Sequence, residues 1–303
     1  MKLTDILDQY VYIKQTSEIT NSGYKSKLRL FDGAINYNSI DELTEQHVLD
    51  WRDKLMAKGC RNTTINSNIR HCRAIYQFAM DQGMVVAEKN IFTVKRLPEI
   101  RKKKLVADET LAIAFKCLAE LKGGETWFWA SIMQTQINLG IRNRQLINIK
   151  VGDLDLDNRT LFLSAEGNKV RTSNDLPINK ILTDVLVEYM ELSEKIIGRK
   201  LYRHEYLFVA GRYFPNYKNY SSLMMSNHQL QSMYKKLSLK VEKMTGERIT
   251  GHRLRHTLAS KIGSKHNVNI RVIQEWFGWS SILTAQSYVQ VSLDEKRKLI
   301  ENL

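Results

Sequence analysis

The segment GHRLRHTLAS, residues 251–260, brings together three side chains that can act on an anion or a metal ion. His252 and Arg255 are three residues apart at a predicted helix start and therefore share a face, and His256 lies one turn beyond His252. The spacing of the two histidines also occurs in zinc-binding helices. Arg253, however, stands where a zinc protease needs glutamate, and Arg255 adds a cation, so a metal site is disfavoured. A plain basic helix surface is the alternative interpretation.

Two further segments supply groups of the same kind. Arg142 follows Gly140, at which an apolar helix is predicted to stop, and Gly278-Trp279-Ser280 precedes Tyr288 in GWSSILTAQSYVQV. Taken singly, Arg142 fits a solvated helix cap, and Tyr288 fits a packing role, as most of the 13 tyrosines do. The joint order is more specific: arginine, a lysine in a predicted hairpin, His-x-x-Arg-His, Gly-Trp-Ser, and a tyrosine in a helix.

This order resembles the tyrosine recombinase (phage integrase) family, which includes Cre-like and Xer-like site-specific recombinases. The resemblance covers both halves of the chain and is strongest in HRLRHTLAS and GWSSILTAQSY. It implies a mainly α fold, with an all-helical N-terminal core-binding domain and an α+β catalytic domain that contains a small antiparallel sheet. The catalytic residues that the resemblance implies are Arg142, Lys169, His252, Arg255, Trp279 and Tyr288.

Under this resemblance, each residue type has a chemical reason. Arg142 and Arg255 would bind the non-bridging oxygens on which negative charge develops during transesterification of a phosphodiester. Tyr288 would be the nucleophile, and its phosphoester would store the energy of the cut bond, so that rejoining needs no ATP. His252 would shuttle protons or donate to the phosphate, and the indole N–H of Trp279 could only donate. With enough organic cations, we expect no metal and no other cofactor.

The sequence departs from the family pattern in two places. Gln145 stands where the first arginine motif usually has an acidic residue, and we expect its amide oxygen to be tolerated as an acceptor. The catalytic lysine would fall near Glu166 when counted forward from Arg142, but on Lys169 when counted back from Pro177. We favour Lys169 as the acid that protonates the leaving 5′ oxygen. The alternative is a solvated turn lysine, with another lysine or none in the catalytic role.

The charge balance indicates a polyanionic partner. Lys and Arg total 46 against 32 for Asp and Glu, so the net charge is +14 over 303 residues. Duplex DNA is the partner that this excess favours, and an anionic membrane surface or a merely basic enzyme is the alternative. The sequence has no secretory signal, no apolar run of about 18 residues and no cysteine pairing pattern. We therefore expect a soluble cytoplasmic protein, associated with the nucleoid and not with a membrane.

Helical periodicity dominates the first part of the chain. Residues 1–94 are predicted to form a helical core-type DNA-binding domain, 95–106 a basic linker, and 107–303 the catalytic domain with a C-terminal tail. The clearest apolar stripe is that of Ile65, Ile69, Cys72, Tyr76 and Ala79. Short β-type runs around residues 161–163 predict the small sheet. The predicted DNA-binding residues are Lys54, Lys58, Arg61, Arg70, Arg73, Lys102, Lys103 and His256.

Three functions compete. The resemblance favours a site-specific recombinase or integrase of a phage or another mobile element, working through a 3′-phosphotyrosine and a Holliday junction. Its partners would be duplex DNA with paired core sites and further copies of the chain, which form a homotetramer on the synapsed DNA. An accessory directionality factor is a further candidate partner. A type IB topoisomerase would use similar chemistry without paired sites. A degenerate relative that only binds DNA is disfavoured by the presence of Arg142, His252, Arg255 and Tyr288.

Overall fold

The chain divides into two compact units, Met1–Lys102 and Lys103–Leu303. The computed structural model describes residues 1–99, 105–120, 126–164, 173–214, 223–265 and 268–289, and of residue 19 only the backbone. Lys102, Lys103, Lys169 and the C-terminal tail from residue 290 lie outside the described residues.

The first unit is helical throughout its described regular structure. The predicted stripe of the longest helix is buried along its whole length, and its members are at most 4% exposed. Trp51 fills the centre of this core and packs edge-on against Phe31, with ring centroids 4.9 Å apart. A short 3₁₀ turn, Ile40–Glu42, precedes the third helix. The four α-helices are α1 (Leu3–Lys14), α2 (Glu18–Asp32), α3 (Glu45–Ala57) and α4 (Asn62–Asp81).

The segment after α4 includes the start of the basic linker that is predicted at 95–106. Asn66, on α4, is buried, and its amide accepts from the backbone N–H of Leu97 at 3.0 Å and donates to the Leu97 carbonyl at 2.8 Å. The same amide donates to Glu99 at 2.9 Å. Residues 95–99 therefore belong to the first unit. Charge patterning could not reveal this, because two of the three contacts are made by the backbone of Leu97.

The second unit is built around an apolar helix, α6, whose Phe128 and Ile132 are fully buried. The sequence predicts a stop at Gly140, and the chain there has φ +61°, a left-handed conformation that glycine adopts without strain. The described helices are α5 (Asp108–Ala119), α6 (Thr126–Leu139), α7 (Asn143–Ile147), α8 (Lys180–Ile197), α9 (Ala210–Tyr213), α10 (Asn227–Thr245), α11 (Gly251–Gly263), α12 (Ile270–Trp276) and α13 (Ile282–Gln286).

A small antiparallel sheet interrupts these helices, as the sequence predicts. Its strands are β1 (Leu154–Asp155), β2 (Thr160–Leu163) and β3 (Asn174–Pro177), in the order β1-β2-β3. The strands follow a 3₁₀ turn, Val151–Asp153. Leu161 pairs with Leu176, and both side chains are buried in the core of the second unit. At the start of β3, Asn174 donates to the carbonyl of Glu275 at 2.9 Å, so the sheet contacts α12.

The role of Asn66 gives a first prediction. Asn66→Ala removes three hydrogen bonds to residues 97–99, and we expect the free energy of local opening there to fall by about 1–3 kcal/mol. Hydrogen exchange of the intact chain, followed by mass spectrometry over residues 94–99, measures this change. The matched control is Asn62→Ala, because Asn62 is partly exposed and makes one such bond, to the Pro98 carbonyl at 2.9 Å. Equal protection in both variants would contradict the prediction.

Candidate active site

The start of α11 places His252, Arg255 and His256 beside the end of α6. Thr250 caps the helix by accepting from the backbone N–H of Arg253 at 3.2 Å. Gly251 is needed for close packing, because a Cβ atom there would lie 2.5 Å from both Asn143 and Gln136 side chains. The absence of a side chain at Gly251 thus lets α11 approach α6 and α7.

Arg255 is the buried charge of this site, at 5% exposure. Its guanidinium donates to the carbonyl of Gly140 at 2.8 Å and to the carbonyl of Phe277. Its Cζ also lies 4.9 Å from the centre of the Phe277 ring and 5.6 Å from that of Trp279. Two carbonyls and two aromatic faces therefore fix the guanidinium plane, as a bidentate anion site requires.

Arg142 stands at the N-terminus of α7, two residues after Gly140. Its backbone N–H donates to the side-chain oxygen of Gln145 at 2.8 Å, so the amide at this position acts as the acceptor that the sequence analysis expects. Its guanidinium donates to the carbonyl of Gly278 at 3.1 Å. Gln145 is buried, so its amide oxygen fixes the chain at Arg142 and does not face solvent.

Tyr288 is 4% exposed, and its hydroxyl is hydrogen-bonded to Nδ1 of His256. The other ring nitrogen of His256, Nε2, lies 2.8 Å from Nε2 of His252. The three side chains thus form a continuous line from the tyrosine hydroxyl to the N-terminal turn of α11. Gly263 lies behind the tyrosine, where a Cβ atom would be 2.3 Å from the Tyr288 carbonyl oxygen.

Trp279 holds the tyrosine ring from one side. Its ring stacks on that of Tyr288, with centroids 5.0 Å apart and an interplanar angle of 12°. It also stacks on Phe277 at 4.9 Å and 20°. The ring of Tyr288 therefore has a defined plane, which fixes the direction of its hydroxyl.

Burial and charge shift the titration of the site in consistent directions. Burial, and then the charge of Arg142, lowers the pKa of Arg255 to about 9, which leaves the guanidinium protonated at pH 7. Desolvation, Arg255 and Arg142 lower the pKa of His252, so its ring is neutral at pH 7. Burial raises the pKa of Tyr288, and the charge of Arg255 opposes that rise. The nucleophile candidate therefore starts as a neutral phenol that has to lose its proton to react.

The structure brings five of the six predicted catalytic residues into one site. Arg142 and Arg255 both donate to backbone carbonyls of the turn at residues 277–278. The hydroxyl of Tyr288 contacts His256, which contacts His252 in turn. Lys169 lies outside the described residues. The predicted order along the chain therefore corresponds to proximity for the residues that are described.

The predicted DNA-binding residues differ in their exposure and in their hydrogen bonds. Lys58, Arg61 and Arg70 are exposed on the first unit. Lys54 is exposed as well but donates to the Ala34 carbonyl at 2.9 Å. Arg73 donates from its guanidinium to the Phe92 carbonyl at 2.9 and 2.7 Å, so it anchors the chain after α4, and its contact with DNA stays a prediction. The helical pattern placed Arg73 off the apolar face but could not show a carbonyl acceptor 19 residues away.

Two roles were missed by sequence reasoning. His256 was predicted to bind DNA, but both of its ring nitrogens contact protein side chains. The signal in the sequence for this contact is the spacing of His252 and His256, which places the two rings one helical turn apart. Gln136 is the second: fully buried on α6, it accepts from Tyr234 and donates to Asn143 at 2.9 Å, and so supports the chain that leads to Arg142.

Two family models match the chain. The model of the phage integrase family matches residues 117–295, which is more than half of the chain. The chain belongs to the phage integrase family. The model of the family's N-terminal SAM-like domain matches residues 7–83. Both matches agree with the mainly α fold and the small antiparallel sheet.

Curated relatives of the family carry the name XerC. The tyrosine recombinase XerC of Bacillus pumilus is 26% identical over 307 residues, covering 98% of this chain and 94% of the relative. A Pseudomonas syringae protein of the same name is 26% identical over 312 residues, covering 99% of this chain. The chain spans only 64% of the length of that Pseudomonas protein.

Solved structures share the fold. The Tn1549 transposon integrase in complex with a circular intermediate DNA matches with a TM-score of 0.79 at 17% identity, over all of both chains. The lambda integrase tetramer bound to a Holliday junction matches with a TM-score of 0.68 at 16% identity, over 96% of this chain and 78% of that one. At these identities the likeness concerns the fold alone.

Among the described residues, no group of three or more His, Cys, Asp or Glu side chains is arranged to hold a metal ion. No described helix combines the length and the apolarity that crossing a membrane requires.

The contact behind Tyr288 gives a second prediction. Gly263→Ala puts a methyl group against the Tyr288 backbone, and we expect overpacking to cost about 1–3 kcal/mol and to displace the tyrosine ring from Trp279. With 5-fluorotryptophan at position 279, the displacement is measured as a changed ¹⁹F resonance. Gly23→Ala is the control, since nothing lies within 4 Å of a Cβ atom there. An unchanged resonance in Gly263→Ala would show that the tyrosine does not depend on this contact.

Proposed function

We propose that this protein is a site-specific DNA recombinase that cuts and rejoins strands through a 3′-phosphotyrosine at Tyr288. The observation that carries the proposal is the assembly of Tyr288, Trp279 and His252 with two arginine guanidiniums in one site. Family membership supports the reaction type. Paired exchanges of this kind pass through a Holliday junction.

The two arginines are suited to hold the scissile phosphate. Arg255 is rigid and buried, and Arg142 lies close enough to lower its pKa. An anion between two such cations gains charge-assisted hydrogen bonds and relieves the repulsion between them. The charge that develops on the non-bridging oxygens in the transition state strengthens both interactions. The indole N–H of Trp279 can add a neutral donor.

The chemical step forms one phosphoester bond while it breaks another. The Tyr288 oxygen loses its proton and attacks phosphorus, and the bond from phosphorus to the 5′ oxygen breaks. The 5′ oxygen leaves with the electron pair and takes a proton, so a 3′-phosphotyrosine and a 5′ hydroxyl remain. A 5′ hydroxyl of the partner strand then attacks the phosphotyrosine in the reverse sense. One phosphoester replaces another at each step, so the balance needs no ATP.

Lys169 is the proposed acid for the leaving 5′ oxygen. It lies in the connection between β2 and β3. The first residue of β3, Asn174, contacts Glu275, four residues before Trp279. The connection that carries Lys169 therefore leads into a strand that contacts the chain just before Trp279.

DNA binding would use the basic surface of the first unit together with the catalytic unit. Lys58, Arg61 and Arg70 are exposed there and can contact phosphates without competing for internal acceptors. Lys54, Lys102 and Lys103 remain further candidates. The proposed partners are paired core sites on duplex DNA and further copies of this chain, which form a tetramer through the tail from Ser292. The solved lambda integrase tetramer on a Holliday junction is the precedent in this fold.

We also propose that the protein works at the nucleoid in the cytoplasm, because its DNA lies there. An accessory directionality factor is a further proposed partner. A type IB topoisomerase is the competing function within the same chemistry. The two functions differ in their need for sites. A recombinase gives exchanged product only when two matched core sites are present, whereas a topoisomerase relaxes supercoils in DNA with none.

Replacing the nucleophile tests the covalent step. Tyr288→Phe removes one hydroxyl, and we expect it to abolish the SDS-resistant adduct with a nicked duplex core site, because that hydroxyl is the proposed nucleophile. DNA affinity in a gel shift should stay within a few-fold of wild type, since most contacts to duplex DNA are made elsewhere. Persistence of the adduct in this variant would remove Tyr288 from the proposed role.

The acid is tested by changing the leaving atom. Lys169→Ala should slow cleavage by about 10²–10⁴-fold, because the 5′ oxygen would leave as an unprotonated alkoxide. Sulfur in place of that bridging oxygen should restore the rate, since a thiolate leaves without a proton. The same sulfur should not rescue Arg255→Ala, and Glu166→Ala should be close to wild type. A sulfur substrate that Lys169→Ala still cleaves slowly would move the acid to another residue.

A further inference from the structure

His256 lies between Tyr288 and His252 in a line of contacting side chains, and it has no role in the proposed reaction steps. The Tyr288 hydroxyl contacts Nδ1 of His256, and Nε2 of His256 lies 2.8 Å from Nε2 of His252. His256 is partly buried, whereas His252 is exposed. The residue that contacts the reacting oxygen is therefore His256, and His252 stands one contact further away.

The contact between the two Nε2 atoms limits the protonation of both rings. One of the two nitrogens has to donate and the other has to accept, because two acceptors or two donors at this distance would repel. If Nε2 of His256 donates, then its Nδ1 carries a lone pair that faces the tyrosine O–H. In that tautomer the phenol donates to His256, and His256 donates to His252.

We propose that His256 is the base that takes the proton of Tyr288 during strand cleavage, and that His252 acts as its hydrogen-bond acceptor. This inference rests on the proposed function and deepens it. As the Tyr288 oxygen bonds to phosphorus, its O–H bond breaks and an N–H bond forms at Nδ1 of His256. His256 becomes an imidazolium, and its Nε2–H remains bonded to His252. In the rejoining step the proton returns to the tyrosine oxygen.

Neighbouring groups favour this direction of transfer. Desolvation and the charges of Arg255 and Arg142 lower the pKa of His252, which keeps its ring neutral and able to accept. The rings of His256 and Tyr288 are nearly parallel, at 21° with centroids 5.6 Å apart, and the stack of Tyr288 on Trp279 restrains the phenol. His252 and His256 are one turn apart on α11, so their separation is set by the helix itself.

The test is single-turnover cleavage of a duplex core site whose nick traps the covalent adduct. His256→Ala and His256→Asn should both cleave about 10²–10⁴-fold more slowly than wild type, with DNA affinity within a few-fold. Asparagine can still accept a hydrogen bond from the phenol but cannot take its proton, so a positional role alone predicts near-normal cleavage in His256→Asn. His228→Ala is the control, because His228 is an exposed histidine on α10.

A more acidic phenol separates loss of the base from general damage. With 3,5-difluorotyrosine at position 288, the phenol is more acidic than that of tyrosine and depends less on a base to lose its proton. The rate of His256→Ala should then rise to within about tenfold of the wild type that carries the same fluorinated residue. Sulfur at the 5′-bridging position should leave the His256→Ala defect unchanged, because it relieves only the departure of the leaving group.

The outcomes are distinguishable. Normal cleavage by His256→Ala, or a defect that difluorotyrosine does not reduce, overturns the role of His256 while the recombinase proposal stands. The absence of any adduct with wild type and with His228→Ala overturns the proposed function, and the inference with it. A defect that difluorotyrosine removes and sulfur does not supports the transfer from Tyr288 to His256.

Discussion

The active site depends on the burial of one guanidinium, that of Arg255. Removing a charge of this kind from water costs several kcal/mol unless polar groups replace the lost hydration. Here the carbonyls of Gly140 and Phe277 take that place, one from the end of α6 and the other from the end of α12. The cation thus joins three helices, α6, α11 and α12. The left-handed turn at Gly140 leaves no room for a side chain, because a Cβ atom would lie 2.6 Å from the Phe277 ring.

A second guanidinium beside a buried one is unfavourable in the free protein. Arg142 lowers the pKa of Arg255, as repulsion between like charges does. Each arginine donates to a backbone carbonyl, so contacts within the fold hold the two guanidiniums in place. A site with this excess of positive charge and fixed donors is complementary to a phosphate, and more so to the charge of its transition state.

Sequence reasoning reached the fold class and the joint order of the site residues, because both are expressed in residue type and spacing. The stripe on α4 and the stop at Gly140 followed from helical periodicity and from glycine. Arg73 and His256 were assigned to DNA because a cation or an imidazole on a helix has no visible partner in sequence. Their partners, the Phe92 carbonyl and the Tyr288 hydroxyl, are brought near only by the tertiary fold.

The turn before Trp279 connects the two arginines to the position of Tyr288. The carbonyls of Glu275, Phe277 and Gly278 accept from Asn174, Arg255 and Arg142 respectively, so three separate elements fix this turn. Trp279 follows it directly and stacks on Tyr288. Tyr288 itself packs in a small cluster with Ala259, Ile273, Phe277 and Ala285, apart from the main core. Loss of Arg255 would therefore loosen the support of the tyrosine as well as remove one of the two proposed phosphate ligands. Lysine is not equivalent to arginine at either position, because its ammonium lacks the planar set of donors that can serve a backbone carbonyl and an anion together.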